Sequence, residues 1–192
     1  MSPAATKDRI LKAAFEEFSK RGFAGARVDE IASRAGANKA LLYQYYGGKE
    51  ALFRLVLECK LEQLGRLKAD PGRFHEAAGE FFDFYAANPW VTRLMLWEAL
   101  DFGTKGVPNE AMRKKHLAEH VAELEGLQRD GVIDGALDAR QTLVTLIGLV
   151  TVWFAMPQVA RMATGDNPYS AASLARRREH VIEMARRILE VR

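Results

Sequence analysis

The chain has 192 residues, of which 48% are hydrophobic, and its formal net charge is +3. This length fits one large or two small domains, and the apolar content supplies a core, which argues against a disordered chain. The single cysteine, Cys59, excludes an internal disulfide, and charges spread through the first fifteen residues argue against a secretory signal. We therefore expect a cytoplasmic protein.

The positive charge is concentrated at the start of the chain. Residues 1–50 contain nine Lys or Arg and six Asp or Glu, whereas residues 51–192 contain nineteen of each kind. A basic first quarter beside a neutral remainder is expected if the first quarter meets a polyanion.

Helical periodicity runs through the whole sequence, and no period-two run is long enough for a strand. We predict an all-α protein of about nine helices. The first helix begins at about Pro3 or Lys7 and ends at Arg21, with Gly22 as its stop. Its apolar stripe is predicted to cover the inner face of the two helices that follow, so that the three helices form a compact headpiece. The stripe consists of Ile10, Leu11, Ala14, Phe15 and Phe18.

Residues 27–50 have the pattern of a helix-turn-helix. Val28, Ile31 and Ala32 give the first of its helices an apolar side. The turn is Ala35-Gly36-Ala37, because its glycine can adopt a positive φ.

The second helix of this motif is predicted from Lys39 to Tyr46, with Asn38 as its N-cap and two glycines after it. Leu42 and Tyr46 lie four residues apart and are expected to pack inward. The residues that then face outward are Lys39, Ala40, Leu41, Gln44 and Tyr45. A leucine, an amide and a tyrosine together are unusual on a solvated surface and suit a helix in the DNA major groove.

Six further helices are predicted after the headpiece. The fourth helix of the chain begins at Lys49 and ends near Asp70-Pro71-Gly72. The later ones cover residues 74–88, 90–102, 109–129, 141–160 with Asp138 as cap, and 170–191. We predict two domains: a helix-turn-helix DNA-binding domain at 1–48 and a helical effector-binding and dimerisation domain at 49–192.

The opening ILKAAFEEFSKRGFAGARVDEIASRAG and the later run LLYQYYGGKEALF resemble the N-terminal domain of the TetR family of bacterial transcriptional regulators. The resemblance covers about fifty consecutive positions. It implies an all-helical homodimer that binds a pseudo-palindromic double-stranded DNA operator, usually as a repressor released by a small molecule.

The same resemblance assigns the DNA contacts. Gln44 suits an adenine edge, Leu41 a thymine methyl, and Lys39 a guanine or a phosphate. Lys49 matches a family lysine that meets a phosphate, whereas Arg27 stands where Ser or Thr commonly caps the helix and binds phosphate, so only the phosphate role transfers. The predicted DNA-binding residues are Arg27, Asn38, Lys39, Ala40, Leu41, Tyr43, Gln44, Tyr45 and Lys49.

The uncharged run at 141–160 allows two interpretations. Its length invites a membrane span, but Pro157 and the arginines at both flanks, Arg140 and Arg161, argue against one. A helix that is apolar on all sides is equally typical of one buried on all sides. We therefore expect a four-helix homodimer interface formed by residues 138–163 and 170–191, as the family resemblance implies, and no contact with a membrane.

Large rings and thioethers are abundant between the fourth and eighth helices, where they line a ligand cavity or simply fill the core. The helix at 90–102 is our predicted pocket wall for an aromatic or aliphatic effector. Effector binding is expected to shift helix four and change the separation of the two headpieces, which costs operator contacts. The predicted ligand-binding residues are Phe81, Tyr85, Met95, Trp97, Glu98, His120, Trp153 and Phe154.

The sequence also allows two other functions. His116-Leu117-Ala118-Glu119-His120 has the HxxEH spelling of one class of zinc peptidases, but a third ligand cannot be assigned, so we predict no metal, no cofactor and no catalysis. The other alternative is a structural DNA-binding protein that senses no ligand.

Overall fold

The computed structural model describes residues 3–65 and 74–191, and within them every regular element is a helix. The all-α prediction is confirmed, with ten helices in place of about nine. They are α1 (Pro3–Gly25), α2 (Val28–Arg34), α3 (Lys39–Tyr46), α4 (Lys49–Gly65), α5 (Phe74–Ala87), α6 (Pro89–Phe102), α7 (Glu110–Arg129), α8 (Ala139–Ala155), α9 (Pro157–Thr164) and α10 (Ala171–Leu189). The predicted end of the fourth helix near Asp70-Pro71-Gly72 lies outside the described residues.

The chain forms two compact units. The first unit is Met1–Gln63 with Arg93–Glu110, and the second is Leu64–Thr92 with Ala111–Arg192. The predicted functional boundary between residues 48 and 49 stays a prediction. Most of α4 and the later part of α6 belong to the first unit, together with the headpiece.

The core of the first unit is built on α1. Ile10, Ala14 and Phe18 are all completely buried, as their spacing on one helical face predicts. Phe53 of α4 completes this core, because its ring lies edge-on to the Phe18 ring at a centroid distance of 5.0 Å. The helix is interrupted at Gly22, which has φ 68° and ψ −176°.

The core of the second unit forms where α10 and α8 both pack on α5. Phe82 of α5 contacts Phe154 of α8 with a ring-centroid distance of 5.0 Å, and Val181 of α10 is completely buried. Gly79 permits the close approach of α5 and α10, since a Cβ at this position would lie 2.7 Å from Cδ1 of Ile182.

The predicted single helix at 141–160 is wrong. Asp138 does cap its start, because its side chain accepts the Gln141 N–H at 2.9 Å. The helix then ends at Met156, where φ is −129° and ψ is 59°, and Pro157 begins α9 at a bend of 82°. Proline causes the break, since it lacks an N–H and its ring clashes with the preceding turn.

Within residues 3–65 and 74–191, no single helix is both long and apolar enough to cross a membrane. Helices α8 and α9 meet that test only as a bent pair.

Candidate nucleic-acid interface

Helix α3 presents most of the predicted DNA-binding side chains to solvent. Asn38 caps the helix, since its Oδ1 accepts the Leu41 N–H at 2.8 Å, and Leu42 anchors the helix with no exposed surface. Lys39, Ala40, Tyr43 and Gln44 are exposed, while Leu41 and Tyr45 are half-buried. The predicted inward position of Leu42 and the predicted outward positions of Lys39, Ala40 and Gln44 are therefore confirmed. Leu41 and Tyr45, which were also predicted to face outward, are partly covered.

The turn between α2 and α3 is stabilised by a hydrogen bond within the motif and by another from α1. Gly36 has φ 60°, as the turn requires. The Ala37 N–H donates to the Ala32 carbonyl at 3.0 Å, and Arg9 of α1 donates its Nε–H to the Ala35 carbonyl at 2.8 Å. The angle between the two helices is thus tied to α1.

Two tyrosines of α3 meet the start of α1. The Tyr46 hydroxyl donates to the Lys7 carbonyl at 2.8 Å, and burial, with a smaller contribution from Asp8, raises the pKa of Tyr46. The Lys7 ammonium lies 5.2 Å from the centre of the Tyr45 ring. The prediction that Tyr46 packs inward is confirmed in part, since its ring is half-buried.

Both of the predicted DNA-binding lysines interact with other residues of the chain. Lys39 Nζ lies 3.1 Å from Asp29 Oδ1, and both side chains are more than half exposed. Lys49 Nζ donates to the Ala24 carbonyl at 3.2 Å and lies 4.9 Å from the centre of the Phe23 ring. Lys49 therefore joins the start of α4 to the end of α1.

Arg27 lies at the N-cap position just before α2 and does not cap the helix, as its residue type predicts, since its side chain makes no cap hydrogen bond. A residue absent from our sequence predictions instead accepts a backbone hydrogen bond at this end of the helix. Glu17 of α1 is completely buried, and its Oε1 accepts the Arg27 backbone N–H at 3.4 Å. The available signal was its position three residues after Ala14, on the apolar face of α1.

The end of α6 meets the end of α1 inside the first unit. A Cβ at Gly22 would lie 2.5 Å from Cδ2 of Trp97. Asp101 Oδ2 accepts the N–H groups of Phe23 and Ala24 at 3.1 Å and 3.2 Å. Asp101 was also missed by sequence reasoning, because nothing in its local pattern indicates a partner 77 residues away.

The predicted ligand-binding residues divide between the two units. Met95, Trp97 and Glu98 belong to the first unit, and the other five belong to the second. Their role in ligand binding stays a prediction for all eight.

Within the second unit, the structure brings four of these residues together in two pairs. The Phe81 and His120 rings meet edge-on at 5.9 Å, and the Tyr85 and Phe154 rings stack at 6.2 Å. Burial raises the pKa of Tyr85 to about 12, opposed by the charge of Arg113, so its hydroxyl stays protonated at neutral pH.

Trp153 is buried and has contacts of its own. Its Nε1–H donates to the Pro168 carbonyl at 3.0 Å. The Arg177 guanidinium lies 5.5 Å from the centre of its ring, and burial lowers the pKa of Arg177.

The HxxEH motif lies on α7. His120 Nδ1 is 3.2 Å from Glu123 Oε2, a carboxylate outside the motif. Within residues 3–65 and 74–191, no three His, Cys, Asp or Glu side chains are grouped closely enough to hold a metal ion.

Comparison with known proteins covers both parts of the chain. Residues 10–56 match the family model described as bacterial regulatory proteins, tetR family, and residues 74–187 match the tetracyclin repressor-like C-terminal domain. The HTH-type transcriptional repressor SCO4008 of Streptomyces coelicolor is 39% identical over 98% of this chain and 97% of its own length. NicS, an HTH-type transcriptional repressor of Pseudomonas putida, is 33% identical over 56% of this chain and 55% of its own.

The fold is also found among solved structures. The crystal structure of the putative transcriptional regulator SCO4942 from Streptomyces coelicolor superimposes with a TM-score of 0.82 and 31% identity. The match covers 96% of this chain and 98% of that one.

Proposed function

This chain belongs to the TetR family of bacterial regulatory proteins and is a DNA-binding transcriptional regulator, and we propose that it acts as a homodimeric repressor. In this proposal the dimer binds a palindromic operator and leaves it when a small hydrophobic or aromatic effector binds. The observation that carries the DNA half is the exposed face of α3, where Lys39, Tyr43 and Gln44 point away from a completely buried Leu42.

The DNA contacts in the proposal follow from side-chain chemistry. Gln44 binds an adenine edge, Leu41 packs on a thymine methyl, and Lys39 binds a guanine or a phosphate. Lys39 must first exchange Asp29 for DNA, which costs little because an exposed ion pair contributes only about 0–1 kcal/mol.

The remaining contacts in the proposal fix the register of the headpiece on the duplex. Arg27, Tyr43, Tyr45 and Lys49 bind the phosphate backbone, which positions α3 without carrying sequence information.

Dimerisation is proposed through residues 138–163 and 170–191. The support is a set of apolar side chains on α8 and α9 that are exposed in the single chain, among them Val144 at 64% and Met162 at 68%. Several exposed apolar side chains on consecutive helices are typical of a protein interface. A dimer also meets the geometric need of a palindrome, because two recognition helices must lie roughly 34–36 Å apart.

The effector is proposed to bind in the second unit, near the ring pairs Phe81–His120 and Tyr85–Phe154. Aromatic side chains with few polar groups favour an apolar ligand, and the Tyr85 hydroxyl and the His120 imidazole can orient it. Release requires that the effector favour a second conformation, because a ligand shifts an equilibrium only by its differential affinity.

Helix α4 is the proposed moving element. Lys49 ties its start to α1, and Leu52 and Phe53 bury its first turns in the headpiece core. A displacement of α4 would therefore carry the recognition helix with it. Coupling of about 1–3 kcal/mol is sufficient to weaken operator binding 5- to 150-fold.

A mobility-shift titration tests the DNA half. The probe is a palindromic duplex from the upstream region of the gene itself, and a scrambled duplex of the same composition is the control. We expect a shift of the palindrome alone at moderate salt. The proposal is wrong if protein shown to be dimeric shifts neither duplex or shifts both equally.

A thermal-shift screen with hydrophobic compounds tests the sensing half. An effector should raise the melting temperature and lower operator affinity, whereas a non-sensing structural protein would show neither effect. The proposal assigns no catalytic reaction to this protein and locates it in the cytoplasm. Zinc content and hydrolysis lost together in His116→Ala would instead support the enzyme alternative.

A further inference from the structure

Glu17 is a carboxylate in a position that ordinarily takes an apolar side chain. It lies on the buried face of α1, between Ala14 and Phe18, and has no exposed surface. Burying a charge is costly unless it is paired and hydrogen-bonded. The contacts of the Glu17 carboxylate must therefore account for its position in the core.

The Glu17 carboxylate touches both ends of α2. Its Oε1 accepts the Arg27 N–H at 3.4 Å at the start of that helix, and its Oε2 lies 3.6 Å from Nη2 of Arg34 at the end. Arg21, one turn along α1, adds a third contact, with Nε 3.1 Å from Oε1. No hydrogen bond to Oε2 is present among the described residues.

Helix α2 needs such external support. It has only seven residues, and helices shorter than about 12 residues are marginal on their own. Its N-cap residue, Arg27, makes no side-chain cap hydrogen bond, and a missing cap removes one of the usual sources of helix stability.

We propose that Glu17 is a positioning residue for DNA binding. It fixes α2 against α1 by accepting the Arg27 N–H and pairing with Arg34, and the α2–α3 turn passes this orientation on to the recognition helix. The Arg27 guanidinium stays exposed on the surface and free to bind a phosphate. This inference rests on the proposed docking of α3 on DNA.

The test compares Glu17→Gln with Glu16→Gln. Glu16 is the adjacent residue and lies 3.9 Å from Arg34 Nη1 through its Oε2, so its substitution removes the same charge from the same helix without touching the start of α2. The probe is a duplex selected in vitro by the wild-type dimer, with a scrambled duplex for non-specific binding.

We expect Glu17→Gln to lower the ratio of specific to non-specific affinity by about tenfold, the worth of roughly one good base contact. Glu16→Gln should change that ratio less than twofold, a difference expected for a surface charge. Equal ratios for the two variants would overturn the proposal. If Glu17→Gln does not fold, Glu17→Asp replaces it, since a shorter carboxylate cannot reach both ends of α2.

Amide hydrogen exchange separates positioning from simple core stability. In Glu17→Met, which has no oxygen to accept the Arg27 N–H, the amides of residues 27–31 should exchange faster relative to the Phe18 amide, and Arg27→Ser should restore their protection by supplying a cap. Uniform acceleration across α1 and α2, with no rescue by Arg27→Ser, would refute the positioning role. If wild-type protein selects no duplex, the DNA proposal fails while this measurement still tests Glu17.

Discussion

Gly22→Ala should be among the most destabilising single-methyl additions in the first unit. Gly22 is buried, with φ 68° and ψ −176°, a conformation that residues with a Cβ rarely adopt. A Cβ there would lie 2.5, 2.7 and 2.8 Å from three atoms of the Trp97 indole. The substitution therefore combines backbone strain with a clash against a bulky ring.

The expected loss comes from these two sources. The backbone conformation costs about 1–3 kcal/mol for a residue other than glycine. Forcing an additional methyl into a packed site costs about 1–3 kcal/mol more. The stiffer unfolded chain offsets roughly 0.4–1 kcal/mol. We expect the free energy of unfolding to fall by about 1–6 kcal/mol, a large part of the ~5–15 kcal/mol available to a typical domain.

Urea unfolding, followed by circular dichroism, measures this loss. Gly36→Ala is the matched control, because Gly36 also has a positive φ of 60° but no atom lies within 4 Å of its added Cβ. That control should lose about 1–2 kcal/mol from its backbone alone. Trp97→Leu, alone and combined with Gly22→Ala, completes a double-mutant cycle that isolates the clash.

The cycle should show that Gly22→Ala costs less when residue 97 is leucine, since a smaller side chain leaves space for the methyl. A Gly22→Ala variant no less stable than Gly36→Ala would refute the argument. Additive losses in the cycle would show that Trp97 does not contribute.

Three further predictions test other parts of the structure, the first of them with a control variant. Gln44→Ala should lose about 1–3 kcal/mol of discrimination at one operator base pair, whereas Lys12→Ala, an exposed charge on α1, should weaken all duplexes alike; equal behaviour in a competition titration would contradict the base contact. Val144→Glu should give a monomer in sedimentation-velocity experiments and abolish operator binding, and an intact dimer would exclude this face of α8. For Glu183, the hydrogen bond from Arg186 is the first cause that lowers its pKa from 4.5 to about 2. A depressed pKa stabilises the folded state above pH 4.5 and the effect disappears as the pH falls towards 2, so Glu183→Gln should lower the melting temperature at pH 7 but not at pH 2.

Local sequence signals were sufficient for the headpiece. Asn38 is predictable as a cap because its short polar side chain can accept the backbone N–H groups of the first helical turn, which follow it directly in the chain. The inward position of Leu42 followed from the 3.6-residue period. These features depend on residues close together in the chain, so the sequence contains all the information they need.

Local sequence signals gave a wrong prediction where two of them disagreed. The run at 141–160 is uniformly uncharged, which favoured one long helix over a break at Pro157. Proline is tolerated at the start of a helix as well as excluded from its interior. The structure takes the first option, because α9 begins with Pro157.

The sequence by itself determined that this protein is a helical regulator with a DNA-reading headpiece, because periodicity, caps and the resemblance of the first fifty residues all lie in contiguous stretches. Only the tertiary structure decided which distant residues support that headpiece. Glu17 meets Arg27, and Trp97 and Asp101 meet the end of α1, across separations of 10 to 78 residues. Such contacts depend on how helices pack, and packing is a property of surfaces in space that no single stretch of sequence encodes.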